Sequence, residues 1–121
     1  MPDLIPLEGR WQMVRAERGG ESAPEMVVNR LEIEFGNDTY QVRFAGEVTD
    51  RGTYTAEPGT PPTLSLCGTR GPNAGKTIPC LYQLVGDRLR ICYGLDGTLP
   101  QEFATAPGTE PYLATYRRQG F

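Results

Sequence analysis

The stretch LEIEFGNDTYQVRF, residues 31–44, limits the fold more than any other feature of this chain. Leu31, Ile33 and Phe35 fall on one side of an extended backbone and Glu32 and Glu34 on the other, whereas a helix would scatter them around its circumference. Gly36-Asn37-Asp38 turns the chain, and Tyr40, Val42 and Phe44 form a second one-sided stripe. The same period of two runs through 10–15, 48–56, 63–67, 77–84, 88–93 and 112–118, giving about eight strands. Fifteen glycines and eleven prolines, spread along the sequence, supply the turns between them. Gly86-Asp87 reads as a tight hairpin, and 24–30 reads as one short helix with Ser22 as its N-cap. A meander of this length closes most simply into an antiparallel up-and-down β-barrel, which leaves no exposed sheet edge.

Several functions are argued against by residues that are missing or misplaced. CGTRGPNAGKT, residues 67–77, ends like a phosphate-binding loop, but the glycine required five positions before Gly75 is Arg70. Pro79 would also break the helix that such a loop must open, so the stretch reads as a hairpin loop with a solvated Lys76. The chain contains no histidine, which removes histidine-based nucleophile schemes and HExxH zinc sites. A net charge of −3 argues against nucleic acid as a partner, and no apolar run is long enough for a membrane span. The first residues carry no signal-peptide pattern, so the expectation is a cytoplasmic chain, or an exported one whose leader has been removed. Residues 1–6 read as a tail and 7–121 as one domain. Cys67, Cys80 and Cys92 read as buried free thiols, although Cys67 and Cys80 could face each other across the 68–75 loop. A two-residue turn at Gly86-Asp87 puts Cys80 opposite position 93 and away from Cys92, whereas a bulged turn would realign them. A bridge between two of the three therefore stays open.

Gly9-Arg10-Trp11 at the head of the first strand resembles the Gly-x-Trp signature of lipocalin and calycin barrels. There, a tryptophan closes one barrel end under an arginine from the last strand. Tyr116-Arg117-Arg118 offers that arginine, and the shared face of Leu113, Thr115 and residue 117 favours Arg117. A fuller likeness covers nearly the whole chain. Leu7-Glu8-Gly9-Arg10-Trp11, Gly52-Thr53-Tyr54, the Gly71-Pro72 and Gly75-Lys76-Thr77 loop, the run from Tyr82 to Cys92, and Pro100-Gln101-Glu102-Phe103 resemble a small lipocalin-like domain family of bacteria. That family is abundant in planctomycetes and has no assigned function. The second lipocalin motif, Thr-Asp-Tyr before a late strand, is missing. The resemblance implies a barrel and no catalytic residue.

A barrel of eight strands is either filled by its own side chains or holds one small ligand, and the sequence leaves both open. Strand tyrosines, including Tyr93 and Tyr116, would set polar hydroxyls on an apolar wall. The ligand-contacting candidates are Trp11, Tyr40, Tyr54, Tyr82, Arg90 and Arg117, with an inward arginine suited to a ligand carboxylate. Glu102, beside Phe103, is the carboxylate to follow near a barrel end. No catalytic residue, metal or cofactor is expected. The leading expectation is a binding protein for a small, mostly apolar ligand. The other is an interaction domain that meets a protein partner through its outer surface and through loops 57–62 and 68–75.

Overall fold

The computed structural model describes residues 7–18, 20–59, 62–94, 97–100 and 112–119. In chain order these form β1 (Gly9–Arg18), β2 (Glu21–Ser22), α1 (Glu25–Val28), β3 (Leu31–Phe35), β4 (Thr39–Phe44) and β5 (Glu47–Glu57). They continue with β6 (Thr63–Arg70), β7 (Thr77–Val85), β8 (Arg88–Tyr93) and β9 (Tyr112–Arg118). Each strand from β3 to β9 pairs antiparallel with the next, β3 pairs with β1, and β9 returns to β1. Eight strands therefore close an antiparallel barrel. The two-residue β2 lies outside that cycle, paired to the end of β1.

Only Gly9–Gln12 of β1 pair with β3, while its last two residues, Glu17 and Arg18, pair with β2. Helix α1 lies in the connection that follows and buries Val28 in the barrel core. The Gln12 amide nitrogen fastens it, lying 3.1–3.3 Å from the carbonyl oxygens of Met13, Val28, Asn29 and Leu31. The helix is shorter than the sequence suggests, and Ser22 does not cap it. Ser22 is held in the ladder opposite Glu17, and Pro24, with φ near −61°, begins the turn without a side-chain cap.

The register of the last three strands sorts their side chains into rows. Cys80–Tyr93–Tyr112, Tyr82–Ile91–Ala114 and Leu84–Leu89–Tyr116 face the interior. Gln83–Arg90–Thr115 and Val85–Arg88–Arg117 face out. The remaining outward row, Leu81–Cys92–Leu113, is buried as a second, separate apolar cluster. Cys80 pairs with Tyr93 as the two-residue turn requires, and all three cysteines are thiols.

Trp11 closes one end of the barrel and is fully buried. Its indole N–H donates to the Leu7 carbonyl at 2.9 Å. The Arg118 guanidinium lies over the ring, 4.3 Å from its centroid, and donates to the Glu8 carbonyl at 3.0 Å. Gly9 takes φ near +127°, a backbone region closed to side chains, and a Cβ there would press on the Arg118 guanidinium. The covering arginine is thus Arg118 and not Arg117. Sharing a face with Leu113 placed Arg117 on the outside, because Leu113 itself belongs to the exterior cluster.

Removing the cation from the indole face and its charged hydrogen bond should lower the unfolding free energy in Arg118→Ala by about 1–3 kcal/mol. Arg117→Ala should stay within about 0.5 kcal/mol of the parent. Urea unfolding followed by Trp11 emission measures both, and equal effects would contradict the clasp.

Candidate functional site

The opposite end of the barrel is shaped by two ladder irregularities, one in β5 and one in β6. Val42 pairs with Asp50 and Arg43 with Val48, leaving Thr49 as an extra residue. On the other side Arg51 pairs with Arg70 and Gly52 with Gly68, leaving Thr69 extra. Bulges of this kind bend a strand and re-aim its side chains. Asp50, beside the inward Val42, faces the interior although its neighbours Thr49 and Arg51 are exposed.

The β6–β7 loop folds over Asp50. Gly68 bonds to Lys76 and Gly75 across the hairpin, at 2.9 Å each. Gly71 has φ near +93°, and a Cβ there would strike the Thr49 carbonyl and the Asp50 carboxylate. Asn73 reaches inward, and its side-chain N–H donates to Asp50 Oδ2 at 2.9 Å. The other oxygen, Oδ1, is shielded from solvent and has no hydrogen-bond partner among the described residues. The glycine-rich stretch that imitates a phosphate loop is therefore a hairpin that packs on a carboxylate. A strand follows it, and Lys76 is exposed.

Between these elements lies a cavity of about 140 Å³. Met13, Leu31, Ile33, Val42, Leu66 and Ile78 form its apolar wall, and Tyr40, Tyr93, Tyr112 and Tyr116 its aromatic wall, with Asp50 and Asn73 as the remaining lining. The hydroxyls of Tyr93 and Tyr116 satisfy each other at 2.7 Å in a buried bond. The Tyr112 ring rests 5.5 Å from that of Tyr93. Burial, and then the charge of Asp50, push the Tyr40 phenol up to about 12. Burial also raises Tyr93 and Tyr116 well above the ordinary phenol value.

A larger depression of about 350 Å³ lies over the outer face of β4 and β5. Thr39, Gln41, Arg51, Thr53 and Thr69 are solvated wall residues there. At its edge Glu34 takes a contact ion pair from Arg43 at 2.8 Å and a bond from Gln41 at 3.2 Å, which hold its carboxyl below the ordinary value. Its lining is about as polar as apolar, whereas that of the interior cavity is mostly apolar, as small organic molecules require.

Of the six candidates read from the sequence, Tyr40 alone lines the interior cavity. Trp11 belongs to the closed end. Tyr54 donates to the Gly36 carbonyl at 2.8 Å and meets Phe35 edge-on at 4.9 Å. Tyr82 is packed in the core. Arg90 lies on the outer wall and donates to Gln83 at 3.1 Å, and Arg117 faces out opposite Arg88. Glu102 and Phe103 lie outside the described residues. Asp50, Asn73 and Tyr112 were not singled out. The one signal for Asp50 was the run Thr49-Asp50-Arg51-Gly52, where alternation lapses inside a strand.

No protein-family model matches the chain, and no curated protein compared with it gives a match.

All six tyrosines have phenols raised by burial. The unfolded chain releases these protons near pH 10, while the folded chain holds them to higher pH. Stability from this source is complete below about pH 10 and declines as pH rises toward the folded values. An alkaline titration should therefore show phenolate absorbance rising together with loss of the circular dichroism of the fold. A phenol ionising near pH 10 in a still-folded chain would contradict this.

Proposed function

We propose that this protein is a lipocalin-like binding protein that holds one small, mostly apolar ligand in the cavity at the open end of its barrel. The observation that carries the reading is the cavity itself, about 140 Å³ walled by aliphatic side chains and tyrosine rings. A cavity of roughly 150 Å³ accommodates one benzene, whereas pockets for drug-sized ligands run to roughly 300–1,000 Å³. The size supports a ligand of about six to eight non-hydrogen atoms and disfavours a long fatty acid or a retinoid. At about 0.8 kcal/mol per atom such a ligand would bind with a dissociation constant of roughly 0.02–0.3 mM. The likeness to the planctomycete-rich family belongs to the same proposal, supported by Gly9, Trp11 and an arginine of β9 meeting at the closed end. The cytoplasmic placement is proposed with it, supported by three cysteines that remain thiols.

Trp11 does not line the cavity, so its emission is the wrong reporter. Benzene, phenol and cyclopentanol should instead give saturable amide and methyl NMR shifts centred on Ile33, Val42, Leu66 and Ile78. Shifts absent or scattered over the surface with every probe up to several millimolar would reject an interior ligand.

One feature favours an interaction domain instead. The Ala45 N–H bonds the Arg30 carbonyl at 2.9 Å, tying the β4–β5 hairpin to the segment after α1. Met26, Val27, Phe44 and Val48 are exposed on these two elements. Under that reading Met26→Ser would weaken association with the partner and leave the cavity untouched.

A further inference from the structure

The cavity is apolar except at one place, and the chemistry of that place specifies the charge of what would fit. Among the twelve described residues that line it, Asp50 is the only one that carries a formal charge. Its carboxylate makes no ion pair among the described residues. Oδ2 receives one neutral amide bond from Asn73, and Oδ1 receives none among the described residues. Arg51 and Arg70, beside it toward β6, are exposed on the outside of the wall, and Arg43, next to its ladder partner Val42, pairs with Glu34. A carboxylate set in an apolar wall with so few donors is poorly compensated until a donor or a cation reaches it.

The rest of the lining suits a cation as well. Tyr40, Tyr93, Tyr112 and Tyr116 converge on the same space, and aromatic faces attract ammonium groups through their quadrupole, more strongly where water is excluded. The hydroxyls of Tyr93 and Tyr116 are already bonded to each other, which leaves mainly the rings of this pair for contact. Among the described residues no lysine or arginine lines the cavity, so a ligand carboxylate would meet only like charge there. The sign is opposite to the one that an inward arginine would have set, because Arg90 and Arg117 both lie outside.

We propose that the open-end cavity is a site for a small organic cation, an alkylammonium with a compact apolar body, with Asp50 as its counter-charge and the four tyrosines as its walls. The proposal rests on the interior-ligand reading above and adds the charge of the ligand. Asn73 is a positioning residue. It holds Oδ2 and so fixes the direction in which the carboxylate meets the ammonium.

Three probes of one shape test it by NMR titration of the full chain at neutral pH: cyclopentylamine, cyclopentanol and cyclopentanecarboxylate. The protonated amine should bind about tenfold or more tighter than the alcohol, with the carboxylate giving no saturable shift. In Asp50→Asn, which keeps the side-chain shape, the ratio of amine to alcohol affinity should fall to near one. The wild-type comparison stands alone if the variant does not fold. Equal binding of amine and alcohol, or tighter binding of the carboxylate, overturns the cationic site and leaves an apolar-ligand protein. If none of the three binds saturably, the interior-ligand reading falls and this inference falls with it. Asparagine retaining the full preference for the amine would also overturn it, since the counter-charge would then lie elsewhere.

Discussion

Burial of Trp11 under a guanidinium satisfies every part of a side chain that is otherwise awkward to enclose. Its N–H has the Leu7 carbonyl and its face has Arg118. Enclosing such a ring contributes roughly 4–6 kcal/mol of transfer free energy before entropy is counted. Arg118 also bonds the Glu8 carbonyl, so one cation ties the entry into β1 to the end of β9. With that end sealed and Phe35 and Tyr54 packed edge to face nearby, vacant volume collects at the other end of the barrel. The position of the cavity is thus a consequence of where the indole sits.

At that other end the ladder is irregular, and the irregularity serves the cavity. Two extra residues, Thr49 and Thr69, occur on either side of the segment that carries Asp50. A regular sheet would exclude an inward carboxylate among aliphatic neighbours, because the charge finds too few donors there. Here the loop that carries Gly71 and Asn73 supplies one donor and comes close enough only because residue 71 has no side chain. A barrel filled evenly from end to end would have had no use for such a loop.

The architecture was legible wherever alternation and turn chemistry agreed. The strands Arg88–Tyr93 and Tyr112–Arg118 have the same limits in sequence and structure, and the Gly86-Asp87 hairpin fixed the pairing of Cys80 with Tyr93. Period-two reading also sorted residues of one strand into two sets. It could not say which set faces inward when both contain apolar residues. Leu81, Cys92 and Leu113 are buried outside the wall, so their apolar character pointed Arg117 the wrong way. Asp50 escaped for a different reason. Its orientation depends on bulges set by pairing with two other strands, and no local pattern encodes how many residues a partner will contribute to a ladder. Tyr40, Tyr93 and Tyr116 were recognisable as strand tyrosines; that they converge with Tyr112 follows from strand order around the closed barrel.

The pairing of β1 with β9 carries a temporal consequence. Trp11 waits for Arg118, and Arg18 for Tyr112, so the closing contacts join the first and last strands of the barrel. On a ribosome the first strand emerges with one of its hydrogen-bonding edges unoccupied and keeps it so until nearly the whole domain has been translated. Contacts of such long sequence separation form slowly, and an open edge is where nascent chains pair with one another. The two-residue β2, folded back on β1 within a few positions, shortens the exposed edge on the other side of β1 during that interval. The edge that awaits β9 is left to the last strand.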